Sequence, residues 1–184
     1  MLFRSAADTI GEGRLRITVT GGIAPPGSGR GDGPPTVIVV AAPLEPAASA
    51  TAVATVPWTR NERDACAGLK TTSYAANVRA LAYAAERGAS EAIFANTVGN
   101  LCEGTGSNLF LVHDGVVVTP PASSGCLLGV TRALVLECCT ALGLPAAETD
   151  LPFTALADAD EAFLTSTTRE VQAITEVDGR VRSE

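Results

Sequence analysis

The chain has 184 residues, 46% of them hydrophobic and 18% charged, which is enough for one good-sized domain, or one domain and part of another, and too apolar for a disordered tail or fibrous repeat. Its 13 basic residues against 20 acidic ones leave a net charge of -7 with the arginines scattered, a balance that disfavours nucleic-acid binding. The longest apolar run, Val37 to Ala42, ends at Pro43, far short of the roughly 20 residues needed to cross a bilayer, and residues Met1 to Ile10 hold no apolar signal region, so a cytoplasmic protein without a membrane partner is expected.

Three β-type runs open the chain: Arg14 to Thr20, Thr36 to Ala42 and Thr51 to Pro57. With the Gly/Pro-rich loops between them they predict a small sheet, a partial small domain over residues 1–57. The Gly21 to Pro35 loop is glycine-rich, but a β-run follows it where a phosphate-cradling dinucleotide motif requires a helix, so it reads as a long hairpin connection. The polar stretch Thr59 to Asp64 marks an interdomain linker over residues 58–68, with a larger domain over 69–184. From Ser73 the pattern becomes helical, with Tyr74, Val78, Leu81 and Ala85 on one face, Ser73 as cap and Gly88 at the end. A strand from Glu91 to Ala95 follows, then a hairpin pairing Asn108 to Val112 with Val116 to Thr119 across His113-Asp114-Gly115. Gly129 and Thr131 open a second helix that Gly143 closes. A short helix around Ala155, a strand Glu161 to Thr165, the hydroxyl run Ser166-Thr167-Thr168 and a strand Val171 to Thr175 complete the pattern.

Twelve of the basic residues are arginine and one is lysine, Lys70, just ahead of the first helix. A guanidinium stays protonated in any protein, whereas a desolvated lysine amine loses its proton and condenses with an aldehyde. One surface lysine spared by chance is the equal alternative. Glu103 ends an apolar strand between Leu101-Cys102 and a Gly-rich turn, and a buried carboxylate needs a partner, either a pyridinium nitrogen or the amides of that turn. Gly129-Val130-Thr131 at a helix N-terminus and Ser166-Thr167-Thr168 after a strand are anion sites or ordinary turns. The sole histidine, His113, sits in a hairpin turn and takes no catalytic role. No cluster of ligands at metal spacing occurs, and the five cysteines, an odd number without a CxxC pair, read as structural thiols.

One lysine, one acid and two anion cups suit pyridoxal 5'-phosphate (PLP). The segments GLKTTSYAANVRAL, EAIFANTVGNLCEGTGSNLFLVHDGVVVTPP, GCLLGVTRALVLE and DEAFLTSTTREVQAI resemble, in order and spacing, the class IV (fold type IV) PLP-dependent aminotransferases, which include branched-chain and D-amino acid aminotransferases and aminodeoxychorismate lyase. The resemblance implies an α/β (α+β) large domain with the remnant of a small N-terminal α+β domain, a homodimer, and amino acid and 2-keto acid substrates. It makes Lys70 the Schiff-base lysine and Glu103 the acid facing the pyridine nitrogen. Tyr74 falls near the phenolic oxygen, Leu127 against the ring, and Gly129, Val130, Thr131, Ser166 and Thr167 around the phosphate. Thr168 and Arg16 fall beside the substrate carboxylate. The family's N-terminal HxxR arginine has no convincing counterpart, since Arg4 lacks its context, so the small domain is expected to be truncated. The lyase and a truncated, non-catalytic relative are the alternatives to a transaminase.

Overall fold

The computed structural model describes residues 13–27 and 29–182, so Arg4 lies outside the described residues. Its two compact units are Met1–Pro46 and Ala47–Glu184. In the first, β1 (Gly13–Thr20) and β2 (Thr36–Pro43) pair antiparallel from Gly13 opposite Pro43 to Thr20 opposite Thr36, with residues 21–35 as the long connection the sequence predicts.

The second unit is built on β3 (Ala50–Arg60), β4 (Glu91–Asn96), β5 (Leu101–Gly104), β6 (Asn108–His113), β7 (Val116–Thr119), β8 (Ala146–Glu148), β9 (Glu161–Ser166), β10 (Glu170–Val177) and β11 (Arg180–Val181). These form one sheet in the order β5-β4-β3-β10-β9-β6-β7-β8, with β11 on β10. The sequence reading grouped β3 with the small sheet, but β3 lies inside the large one, parallel to both β4 and β10. Val53 faces one apolar cluster, with Ile93, Leu101, Leu109, Leu111 and Leu164, while Ala54 and Val56 face the other, the double burial typical of a central parallel strand. The β6–β7 hairpin forms as predicted, with Asp114 and Gly115 both at positive φ.

Among the described residues, the strands are connected by the α-helices α1 (Ala75–Ala85), α2 (Val130–Leu142) and α3 (Ala155–Asp158) and by a 3-10 turn at Ala122–Ser124. In α2 both boundaries match the sequence reading, and Gly143 takes the left-handed C-cap at φ 69°. In α1 the buried face differs from the expected one. Asn77, Ala80 and Ala84 are buried, whereas Val78 and Leu81 are exposed. Small residues let the helix backbone lie close on Ala54, Ala92 and Phe94 of the sheet, which the larger Tyr74–Val78–Leu81 stripe would prevent. Ser73 makes no cap bond; Tyr74 occupies the N-cap position.

Candidate active site

A cleft of about 870 Å³, within the usual range for a small-molecule site, opens beside the ends of β3, β5 and β9 and the start of α2. Lys70, Tyr74, Glu103, Leu127, Gly129, Val130, Thr131, Ser166 and Thr167 all line it. Thr168, in the β9–β10 turn, does not, and Arg16 lies exposed on β1 in the other unit.

Lys70 ends a run of tight turns. The amide of Asp64 donates to Asn61 O at 3.0 Å, that of Ala67 to Asp64 O at 2.9 Å and that of Leu69 to Cys66 O at 3.0 Å. The polar stretch expected as a linker thus rims the cleft through Asn61 and Asp64. Lys70 is exposed rather than desolvated, as are Gly68 and Leu69 beside it.

Glu103 sits near the end of the edge strand β5, opposite Phe94 of β4. Its Oε2 accepts the Leu127 amide at 2.9 Å, and its Oε1 lies 3.3 Å from Arg60 Nε. The Arg60 guanidinium stacks 4.5 Å from the centre of the Phe94 ring and donates through Nη2 to Asn77 Oδ1 at 2.8 Å. Burial pushes the Glu103 carboxyl above its usual range, opposed by the Leu127 amide and then by the positive charges of Arg60 and Lys70.

At α2, no side chain caps the first turn. Asn108 instead holds the approach to it, donating through Nδ2 to Leu127 O at 2.6 Å and accepting the Gly129 amide on Oδ1 at 3.2 Å. A Cβ at Gly129 would lie 2.3 Å from Asn108 Oδ1, so this close approach requires glycine. The first-turn amides beside Val130 and Thr131 form a helix N-terminus at the cleft wall. Two buried polar atoms of lining residues lack hydrogen-bond partners, Arg60 Nε and Thr165 Oγ1.

Arg60, Asn77 and Thr165 escaped the sequence reading. Arg60 stood in a polar run, Asn77 on a helix judged by its larger apolar residues, and Thr165 inside a strand. Only the folded pairing reveals them. Among the described residues, no three His, Cys, Asp or Glu side chains are grouped to hold a metal ion, and no helix is long and apolar enough to cross a membrane.

The pattern that defines the amino-transferase class IV family matches residues 4–177, and the chain belongs to that family. A Methanocaldococcus jannaschii protein provisionally named branched-chain-amino-acid aminotransferase is 34% identical over 171 residues, covering 91% of this chain and 59% of that protein. The crystal structure of the Escherichia coli branched-chain amino acid aminotransferase superposes with a TM-score of 0.90 at 28% identity, covering 97% of this chain and 62% of that one. A Legionella pneumophila structure provisionally named 4-amino-4-deoxychorismate lyase superposes with a TM-score of 0.90 at 25% identity, covering 96% of this chain and 66% of that one. The α+β architecture is therefore that of the fold type IV enzymes, and the chain spans about 59% of the length of the Methanocaldococcus relative.

Proposed function

We propose that this chain binds PLP and works as an aminotransferase, passing an amino group between an amino acid and a 2-keto acid. The observation that carries this reading is the meeting of Lys70 and Glu103 in one cleft that also takes in the N-terminus of α2. The fit to the cofactor rests on the donor set. A primary amine, a buried carboxylate and a helix N-terminus match an aldehyde, a basic ring nitrogen and a phosphate. The unpartnered Thr165 hydroxyl is a further polar contact open to a ligand.

When bound, PLP supplies an aldehyde that takes up an amine and a ring that draws electrons from the substrate's α-carbon. Lys70 Nζ would hold the aldehyde, and as a free amine it would be the group placed to move a proton. Glu103, kept in place by Arg60 and the Leu127 amide, holds a proton on the ring nitrogen. Leu127 and Tyr74 line the cleft and, as the resemblance implies, would pack on the ring and lie near its phenolic oxygen. The Val130 and Thr131 amides of α2, with the Thr131, Ser166 and Thr167 hydroxyls, would bind the phosphate, and Gly129, its own amide held by Asn108, would let it approach. The resemblance gives the substrate carboxylate to Thr168, which follows the lining residue Thr167 in the β9–β10 turn. The working unit is a homodimer in the cytoplasm.

The Legionella neighbour favours a second reading, a lyase that uses the same lysine and ring acid. Product analysis of the PLP-loaded protein separates the two. Transfer of an amino group to a 2-keto acid supports the transaminase, whereas p-aminobenzoate and pyruvate from aminodeoxychorismate without amino transfer supports the lyase.

A further inference from the structure

Glu91 is the first residue of β4 and is 2% exposed. A carboxylate this deeply buried is costly unless hydrogen-bonded and paired, and Glu91 is both. Its Oε1 accepts the amides of Ala92 at 2.9 Å and Thr105 at 3.0 Å, together with the Thr105 hydroxyl. Its Oε2 accepts the Ser107 hydroxyl at 2.9 Å and lies 4.0 Å from Arg169 Nε. Every group around it is a donor, so an acceptor-only side chain is what the pocket demands.

These contacts join two chain segments far apart in sequence. Thr105 and Ser107 form the turn after Glu103, and its tightness leaves no room for a side chain at Gly104. A Cβ there would lie 2.4 Å from Ser107 Oγ and 3.1 Å from Glu91 Cδ. Arg169 ends the turn after β9. Its amide donates to Ser166 Oγ at 3.1 Å, and its guanidinium donates to Ser90 O at 2.8 Å and to Gln172. The cleft lining takes in Glu103 and Asn108 from one segment and Ser166 and Thr167 from the other, with Asn108 paired to Thr165 across β6 and β9, and Glu91 contacts the turn next to each segment. The Thr105 amide and the Thr105 and Ser107 hydroxyls of the Gly-rich turn are thus already taken by a protein carboxylate.

We propose that Glu91 is a positioning residue, whose buried carboxylate locks the Thr105–Ser107 turn to Arg169 and so fixes the spacing between Glu103 and the Ser166–Thr167 turn. That spacing matters for the cofactor reading above, on which the second half of the test depends.

The test is Glu91→Gln, which keeps the shape and the Oε1 contacts but sets an amide donor against Ser107 and Arg169, with Glu91→Asp as the charge-preserving control. In the protein without PLP, amide hydrogen exchange is expected to rise at least about tenfold at residues 103–108 and at 166–169 together, while β6 from Leu109 onward keeps its protection. Acceleration spread evenly over the sheet, or confined to one of the two turns, overturns the proposal. With PLP, Glu91→Gln is expected to weaken binding by at least about tenfold and to move the pH at which the cofactor's visible band titrates, with partial recovery in Glu91→Asp. A merely structural role lowers the melting temperature but leaves that titration where it is, and this result also overturns the proposal. If wild type shows no visible band while both turns loosen in Glu91→Gln, the cofactor reading fails and the positioning role stands.

Discussion

Arg60 Nε lies 3.3 Å from Glu103 Oε1, with the two side chains 24% and 14% exposed. The contact ties the end of β3 to the edge strand β5 at the floor of the cleft, and Asn77 of α1 holds the same guanidinium from the other side. Arg60 is also a cation set against the carboxylate that burial disfavours.

Arg60→Gln removes that cation and leaves Glu103 buried with only the Leu127 amide. A loss of about 1–3 kcal/mol is expected in thermal or urea unfolding, below the cost of breaking a fully buried pair because both groups keep some solvent. Arg60→Lys recovers little of it, since an ammonium cannot span Glu103 and Asn77 while stacking on Phe94. Full recovery by lysine would show that charge alone matters.

The raised Glu103 carboxyl gives a pH dependence of definite sign. A folded-state pKa above the unfolded value of 4.5 means that the folded protein holds this proton more tightly, so the contribution of Glu103 to stability is greatest in acid and falls as pH rises from about 4.5 through the folded value. Without PLP, Glu103→Gln is expected to lack that fall. The stability difference between variant and wild type therefore shifts in favour of the variant as pH rises, and levels off once Glu103 is ionised in the folded protein. Unfolding curves across this range measure it, and a wild type that gains on the variant with rising pH contradicts the burial argument.

Thr131→Val keeps the shape of the first turn of α2 and removes one hydroxyl. PLP is expected to bind about tenfold more weakly, with pyridoxal, which lacks the phosphate, unaffected. Equal loss for both ligands would move the phosphate site away from α2.

Asn108→Ala breaks the bonds to Leu127 O and the Gly129 amide, for an expected loss of about 2–3 kcal/mol. Gly129→Ala forces a methyl against Asn108 Oδ1 and should cost a similar amount. Because the clash requires that oxygen, the double variant is expected to lose clearly less than the two single losses added. Simple additivity in urea unfolding would place the strain elsewhere.

Local signals carried much of the architecture into the sequence. Gly129 and Gly143 bracket α2, and the His113-Asp114-Gly115 turn sets the β6–β7 register, since each is decided by backbone conformation within a few residues. Lys70 stood out by composition, and Glu103 by an acid following apolar residues. The placement of β3 was not legible, because parallel pairing with β4 and β10 depends on partners distant in sequence and leaves no local mark. The α1 face was misread because close helix-to-sheet packing selects Ala80 and Ala84 over larger residues. Arg60 looked like one residue of a polar linker, and Glu91 like an ordinary charge at a strand start. Their roles exist only once β3, β4 and β5 lie side by side.

The central claim is that Lys70 holds PLP in a cleft it shares with Glu103. Borohydride reduction of the PLP-loaded protein, followed by peptide mass mapping, tests it with little ambiguity, because Lys70 is the only lysine and arginine forms no such adduct. The expected result is a stable pyridoxyl group on the peptide containing Lys70 in wild type and its absence in Lys70→Ala. An unmodified Lys70, or the same modification of the chain's α-amine in both proteins, would contradict it.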